Sequence, residues 1–319
     1  MMKTKASHTP LASVVVVGEL NVDMILTGED IVPEWNREKI ANQFEIVLGS
    51  SSAITACSLA SLGVEVTFVS VVGADYFGEF CIQELQRMGV NTDHIHIRSD
   101  IQTGVTLSFS TSSDRGLVTY PGSIPCVTPD MVTESLLREA DHLHFGSYYL
   151  QDQMRKHWST LFAQAQQLGL STSFDTGWDI RNLWDRSGIE QLLTYTNLFI
   201  PSEEEILHIY NTSQMEEVIT KLPYLIGDVI VKLGSQGSLL VDATKQPLTI
   251  RSYPVTPIDT TGAGDCFNAG IIYGYLQGYR RATLLEFANA CGALSTQGVG
   301  GTGALPTLQQ VDHIQMSHS

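Results

Sequence analysis

The chain has 319 residues, of which 43% are hydrophobic and 16% are charged, and its formal net charge at pH 7 is -16. This composition supplies enough apolar material for a substantial core and excludes a disordered chain. The strong negative charge repels nucleic-acid phosphates and anionic lipids, so neither is an expected partner.

Short apolar runs alternate with segments of helical periodicity along most of the chain. Strands are predicted, in chain order, at SVVVVGE, VTFVSVVG, HLHFGS, LSTSFDT, LFIPS, DVIVKLG and SLLVDA. Helices are predicted at AITACSLASLG, GEFCIQELQRMG, HWSTLFAQAQQLG and EEEILHIY, and Gly63, Gly89 and Gly169 are typical helix stops. Because the strands are apolar on both faces, this order predicts a parallel sheet covered by helices on both sides.

Residues 22–47 and 101–120 depart from this order. Both segments alternate polar and apolar residues and are rich in Thr and Ser, which is typical of half-exposed strands. We expect them to form a small sheet that stands off the main domain. The five cysteines are scattered without a CxxC pair, and no apolar run approaches the roughly 20 residues of a membrane span, so we expect a cytoplasmic protein with reduced thiols.

The segment DTTGAGDCFNAG, residues 259–270, combines a small-residue loop with the start of an apolar helix. The first N–H groups of a helix have no partner within the helix, and the helix dipole adds positive charge there. Gly262, Ala263 and Gly264 can therefore form a cradle for an anion such as a phosphate, with Asp265 beside it as a base. The alternative interpretation is ordinary capping, because aspartate is favoured in any first helical turn.

On this motif the sequence resembles the ribokinase family, also called the PfkB carbohydrate kinases. The other matching pieces follow in the family's order: GELNVD, LGSSSAITACSLASLG, VGADYFG, TGVTLSF, SFDTGWDIRNLW, PSEEE, VIVKLGSQGSLL and GGTGALPT. The resemblance implies an ATP-dependent kinase that acts on a hydroxyl of a small sugar or nucleoside. It also implies a three-layer α/β/α ribokinase-like fold over residues 11–310, with a mainly parallel central sheet and segments 22–47 and 101–120 as a β-sheet lid.

The resemblance further implies roles for individual residues. Asp265 would be the general base, and Gly262, Ala263 and Gly264 would stabilise the transferring phosphoryl group. The remaining expected site residues are Asn21, Asp23, Gly49 and Ser50 for the sugar; Ser202, Lys232, Gly234, Gly237 and Asn289 for ATP; Glu205 for Mg²⁺ through water; and Asp259 for a monovalent cation such as K⁺.

The sequence departs from the family pattern at four positions. Ser50 replaces the second glycine of a Gly-Gly pair, and Ile54 stands where many members carry a sugar-binding asparagine. Ser202 replaces the asparagine of an Asn-x-x-Glu motif, and Ala304 stands where some members have a serine at the cation site. The first two departures leave the sugar open, since a missing amide changes which hydroxyl pattern is preferred.

Two alternatives to a sugar kinase remain at this point. A nucleoside kinase of the same family is favoured by aromatic residues in the lid segments: Trp35, Phe44, Phe109 and Tyr120. A non-catalytic sugar-binding sensor is the alternative from another class, and the intact motif at Asp265 argues against it. We also expect a homodimer formed through the lid, because its strands present edges and an apolar face.

Overall fold

The computed structural model describes residues 12–111 and 115–318. Within these ranges the strands are β1 (Ser13–Val17), β2 (Asn21–Thr27), β3 (Gln43–Leu48), β4 (Glu65–Gly73), β5 (Asn91–Arg98), β6 (Gly104–Ser110), β7 (Arg115–Tyr120), β8 (His142–Phe145), β9 (Ser171–Phe174), β10 (Leu198–Phe199), β11 (Asp228–Lys232), β12 (Ser238–Val241) and β13 (Leu248–Ile250). The helices are α1 (Ser51–Ser61), α2 (Tyr76–Arg87), α3 (Glu134–Arg138), α4 (Trp158–Gln167), α5 (Arg186–Leu193), α6 (Glu203–Tyr210), α7 (Met215–Lys221), α8 (Ala263–Leu276), α9 (Arg281–Ser295) and α10 (Leu308–Ser317).

The main sheet has nine strands in the order β13-β12-β11-β10-β9-β8-β1-β4-β5. All neighbours from β11 to β5 pair in parallel, while β12 and β13 are antiparallel at one edge. The mainly parallel sheet is therefore confirmed. Every predicted strand lies in it, and β5 and β13 are additional.

Helices cover both faces of the main sheet, as the apolar strands require. Along β1, Val15 and Val17 pack into the core formed with α3 to α7, whereas Val14 and Val16 pack into the core formed with α1, α2 and α8 to α10. The three-layer α/β/α fold follows from this alternation.

The four predicted helices correspond to α1, α2, α4 and α6. Each of the three predicted stop glycines follows its helix in a left-handed conformation, with φ of 85°, 83° and 94° at Gly63, Gly89 and Gly169. Glycine is favoured there because it has no Cβ to oppose a positive φ.

Segments 22–47 and 101–120 form a separate four-stranded sheet, the lid, with the strand order β3-β2-β6-β7. Its register places Ile25, Ser108 and Leu117 in one row, and Met24, Leu107 and Val118 in the next row. Successive rows point to opposite faces of a sheet, so the lid has one mixed face and one apolar face. Residues 28–42 connect β2 to β3 without regular structure.

No helix in the described ranges is long and apolar enough to cross a membrane. All five cysteines are free, as predicted.

Candidate active site

Two clefts meet at the carboxyl ends of the parallel strands, on either side of the first turn of α8. The lid cleft, of about 410 Å³, lies under the mixed face of the lid and is bounded by Gly262 and Asp265. The second cleft, here called the α8–α9 cleft, has about 440 Å³ and is bounded by Ala263 and Gly264. Four consecutive residues thus separate two cavities, which is the arrangement needed to pass a group from one bound molecule to another.

The chain turns sharply at Gly262, where α8 begins. Gly262 has a φ of 76°, and a Cβ there would lie 2.7 Å from the Cα of Gly301, so a side chain is excluded. The N–H groups of Ala263 and Asp265 donate to turn carbonyls, whereas the N–H of Gly264 has no acceptor among the described residues. The side chain of Lys232 passes over Gly264, with its ammonium 3.6 Å from where a Cβ would stand. An unpaired N–H and a cation at a helix start suit an anion.

Asp265 points its carboxyl group into a polar pocket at the floor of the lid cleft. The hydroxyl of Ser51 donates to its Oδ1 at 2.5 Å. Burial, and then the nearby negative charge of Asp175, raise the pKa of Asp265 to about 7, against the hydrogen bond from Ser51 and the charge of Lys232. A carboxylate with a pKa near the working pH is suited to accept a proton.

A hydrogen-bonded chain connects Asp175 to the α8–α9 cleft. Asn268 donates to Asp175 at 2.6 Å and its amide oxygen lies 3.3 Å from the ammonium of Lys232. The main-chain N–H of Ser147 donates to the other carboxylate oxygen of Asp175 at 2.8 Å. These hydrogen bonds therefore hold the ammonium of Lys232 and the carboxylate of Asp175 at fixed positions around Asp265.

The residues expected to bind a sugar lie together at the lid cleft. Asn21 donates to Asp23 Oδ1 at 3.0 Å, and both line the cleft. Gly49 lies directly behind them, because a Cβ there would be 2.2 Å from Asp23 Oδ1 and 2.6 Å from Asn21 Nδ2. Burial raises the pKa of Asp23 to about 6, while the hydrogen bond from Asn21 and the charge of Arg115 oppose this shift.

Ser50 and Ile54 also line the lid cleft. Ser50 has a φ of 74°, in the region that favours glycine, and its hydroxyl donates to the carbonyl of Glu19 at 2.6 Å while capping α1. Ile54 is 3% exposed and packs against Gly301 and Gly262. Its aliphatic side chain therefore takes up space between the cleft and the start of α8.

The lid aromatics do not form a stacking surface for a base. Trp35, Phe44 and Tyr120 are exposed, at 97%, 56% and 51%, and neither they nor Phe109 line the lid cleft. Among the described residues, Trp178 is the one aromatic side chain in its lining. The lid aromatics therefore give no support to a nucleoside kinase, and Trp178 is the aromatic surface that the cleft offers to a bound molecule.

The residues expected to bind ATP divide into two groups. Lys232, Gly234, Gly237 and Asn289 line the α8–α9 cleft. Ser202 does not, and instead caps α6: its hydroxyl accepts from Glu205 N, and Glu205 Oε2 accepts from Ser202 N at 2.8 Å. Thr176 also donates to Glu205 Oε2, at 3.0 Å.

Asp259 joins two loops next to α8. Its Oδ1 accepts from the N–H and hydroxyl of Thr261, and its Oδ2 accepts from Gly300 N at 2.8 Å. Burial alone would raise the pKa of Asp259, but these hydrogen bonds lower it. The carboxylate is therefore ionised and held at the edge of the motif.

Glu19, Ser51 and Arg115 are further residues of the lid cleft, and sequence reasoning missed Ser51 and Arg115. Glu19 is buried beneath it and accepts from Ser52 at 2.6 Å and from Ser147 at 3.0 Å. Arg115, at the start of β7, reaches across to the hydroxyl of Thr261 at 2.5 Å. The position of Glu19 after a buried strand was a usable signal, whereas nothing local to Arg115 or Ser51 indicates the contacts they make.

Comparisons with known proteins relate the chain to one family of kinases. The model of the family described as pfkB family carbohydrate kinase matches residues 11–308. An ATP-dependent ribose-1-phosphate kinase of Halopiger xanaduensis is 30% identical over 94% of this chain and 97% of its own, and an uncharacterized sugar kinase of Archaeoglobus fulgidus is 28% identical over 78% and 98%. A candidate ribokinase II from E. coli, crystallised with ATP and Mg²⁺, is 27% identical, covers 97% of this chain and 100% of its own, and has a TM-score of 0.83.

Proposed function

The chain belongs to the pfkB family and is a carbohydrate kinase, and from that premise we propose that it moves the γ-phosphoryl group of ATP to a hydroxyl of a small sugar in the lid cleft. One observation carries the proposal: Asp265 lines the lid cleft while its neighbours Ala263 and Gly264 line the α8–α9 cleft. A sugar hydroxyl beside Asp265 would face a phosphate at the free N–H of Gly264 and the ammonium of Lys232.

In this assignment Asp265 accepts the proton of the sugar hydroxyl as the hydroxyl oxygen attacks the γ-phosphorus of ATP, and the bond from that phosphorus to the β–γ bridging oxygen breaks to release ADP. The N–H of Gly264 and Lys232 stabilise negative charge on the transferring group, and the nucleotide occupies the cleft lined by Gly234, Gly237 and Asn289. Asn21 and Asp23 would bind sugar hydroxyls from the lid side, with Gly49 and Ser50 behind them.

The decisive experiment replaces Asp265 with asparagine. The substitution keeps the size and removes the proton acceptor, so we expect kcat to fall by about 10²- to 10⁴-fold while the Kd for ATP changes little. ADP release is measured over a panel of pentoses, hexoses, sugar acids and nucleosides. If the variant keeps more than about a tenth of wild-type kcat, Asp265 is not the general base. A wild-type protein that binds a sugar and phosphorylates none would instead support the sensor.

Magnesium fits the residues near Glu205. Mg²⁺ is commonly held by one or two carboxylates together with phosphate oxygens and water. Glu205 lies at the start of α6, close to Thr176 and the end of β9, and could bind the waters of such an ion. When bound, Mg²⁺ neutralises charge on the β- and γ-oxygens of ATP. We expect Glu205→Gln to raise the Mg²⁺ concentration required for half-maximal rate.

A monovalent cation is proposed at the loops joined by Asp259. The ionised carboxylate and the adjacent carbonyls are oxygen ligands of the kind that K⁺ accepts, although Ala304 supplies no side-chain oxygen where some members of the family carry serine. The proposal predicts a higher rate in K⁺ than in Na⁺ at equal ionic strength, and Asp259→Asn should remove this difference.

The shape of the lid cleft supports a sugar other than ribose. Ile54 offers no hydrogen bond, and Ser50 already donates to Glu19, so a hydroxyl facing them would lose its water partners at roughly 1–3 kcal/mol. We propose that wild-type kcat/KM for ribose is low and rises in Ile54→Asn. An equal kcat/KM in the two proteins would exclude Ile54 as a determinant of specificity.

A further inference from the structure

One face of α1 holds the first turn of α8. Ser51 and Thr55 are four residues apart and so lie on the same face of the helix. The Ser51 hydroxyl contacts Asp265 Oδ1 at 2.5 Å, and the Thr55 hydroxyl donates to the main-chain carbonyl of Asp265 at 3.3 Å. Between them Ile54 lies 3.1 Å from where a Cβ of Gly262 would stand. Helix α1 thus contacts the side chain and the main chain of Asp265 and also the turn at Gly262.

The bond from Ser51 is the part of this contact that acts on charge. Three charged groups act on Asp265: Asp175 at the end of β9, Glu19 after the end of β1, and Lys232 at the end of β11. Its burial and the two carboxylates favour the protonated form, while Lys232 and a donated hydrogen bond favour the ionised form. Across the lid cleft Asp23 and Arg115 add one charge of each sign.

The Ser51 hydroxyl does not cap helix α1. The helix is capped by Ser50, whose Oγ accepts from Ala53 N at 3.0 Å. Ser51 follows the cap, and among the described residues the one other hydrogen-bond partner of its hydroxyl is Asp175 Oδ2 at 3.4 Å. Asp265 Oδ2 has no hydrogen-bond partner among the described residues, so the bond at Oδ1 leaves the second oxygen open.

We propose that Ser51 is a positioning residue for the base: its hydroxyl orients the Asp265 carboxylate and favours the ionised form, with Oδ2 left for the sugar hydroxyl. The role rests on the proposed function of Asp265. Ser51, which is far from the 259–270 motif in sequence, would thereby influence the protonation state of Asp265.

The test is a pH titration of the Asp265 carboxyl carbon by ¹³C NMR in protein labelled at aspartate, with the resonance assigned by its loss in Asp265→Asn. Removing a donor to the ionised form raises a pKa, so Ser51→Ala should move the midpoint upward by on the order of one pH unit. Ser51→Cys, a weaker donor of similar size, should give a smaller upward shift, and Ser51→Thr should restore the wild-type midpoint. Thr55→Val is the matched control, because its bond is to a neutral carbonyl and should leave the midpoint unchanged.

The same variants are then compared in kcat/KM against pH, with the sugar that gives the fastest ADP release in the panel. We expect the acid limb of Ser51→Ala to move upward by the same amount, with the KM for ATP unchanged. An unmoved midpoint would overturn the proposal, and an unmoved limb with a raised KM for sugar would make Ser51 a substrate contact instead. If Asp265→Asn stays active, the proposed base fails whatever Ser51 does; if it is inactive and Ser51→Ala titrates like wild type, only the role of Ser51 fails.

Discussion

Burial and the negative charge of Asp175 together raise the pKa of the Asp265 carboxyl group to about 7. The proposed base acts when it is deprotonated, so we expect kcat/KM to fall as the pH drops through about 7. Asp175→Asn removes a like charge and should move this limb to lower pH, which is the direction opposite to Ser51→Ala. A pH–rate profile of the wild type and the two variants measures both shifts. A shift of the same sign in both variants would show that the limb belongs to another group.

Gly49 offers a second test at the level of a single residue. A Cβ there would lie 2.2 Å from Asp23 Oδ1, so alanine must displace the Asn21–Asp23 pair that we assign to the sugar. We expect Gly49→Ala to raise the KM for sugar by at least about tenfold, which corresponds to about 1.4 kcal/mol, and to leave the KM for ATP unchanged. Gly116→Ala is the matched control in the lid, because a Cβ there meets nothing within 4 Å. An increase in the KM for ATP at Gly49 would place the residue outside the sugar site.

The part of the site that sequence could predict is the part that is local. Gly262, Ala263, Gly264 and Asp265 are adjacent, and the chemistry of a helix start depends only on neighbours in the chain. The contact from Ser51 spans 214 positions and depends on how α1 packs on α8. No property of either segment alone indicates it, and this is why the contact between Ser51 and Asp265 became visible only in the fold.

The lid presents two different faces, one mixed and one apolar. The mixed face carries Asp23, Ile25 and Leu117 toward the cleft, while Leu107, Phe109 and Val118 point away from it. Val118 is 61% exposed, and Trp35 in the β2–β3 connection is 97% exposed. Apolar surface of this kind is commonly covered by a partner, so we propose that a second copy of the chain packs on the apolar face.

Two adjacent residues test this division. Val118→Lys places a charge on the apolar face and should convert a dimer to a monomer in sedimentation velocity at micromolar concentration. Leu117→Lys alters the next residue, on the opposite face, and should keep the dimer while raising the KM for sugar. A wild-type protein that sediments as a fully active monomer would contradict the dimer, and a monomeric Leu117→Lys would contradict the assignment of faces.

Sequence patterns predicted the buried strands of the main sheet and the half-exposed strands of the lid, but not the strand β13 or the helix α9. The buried strands β1, β4 and β11 are runs of apolar residues, and such runs are typical of strands that are buried on both faces of a parallel sheet. The three-residue strand β13 is too short to show a period, and it forms by pairing with β12 at the edge of the sheet. The lid aromatics could be counted from the sequence, but which face they occupy depends on register.

At the scale of the whole molecule, the site places acidic groups where they oppose folding. Burial raises the pKa of Asp265, Asp23 and Glu19, so each group is harder to ionise in the folded chain than in the unfolded chain. Burial has the opposite effect on the pKa of His142 and His144, lowering that of His144 to about 4. Between pH 4 and 6.5 the two sets act on stability with opposite signs, since the carboxyls bind more protons when folded and the histidines fewer.

Asp265→Asn, which we expect to lower kcat by about 10²- to 10⁴-fold, should also stabilise the fold by an amount that depends on pH. The folded pKa of about 7 exceeds the unfolded value of 3.8, so the stability associated with this group is present at low pH and is lost as the pH rises through 7. At pH 8 the ionised carboxylate costs about 4 kcal/mol, and asparagine carries no charge to bury. The variant should melt several degrees above wild type at pH 8, and the gap should narrow at pH 5, where Asp265 is largely protonated. Both proteins carry the same buried histidines, so the difference in Tm cancels their contribution. Equal gaps at the two pH values, or a lower Tm for the variant at pH 8, would show that burial of Asp265 does not oppose folding.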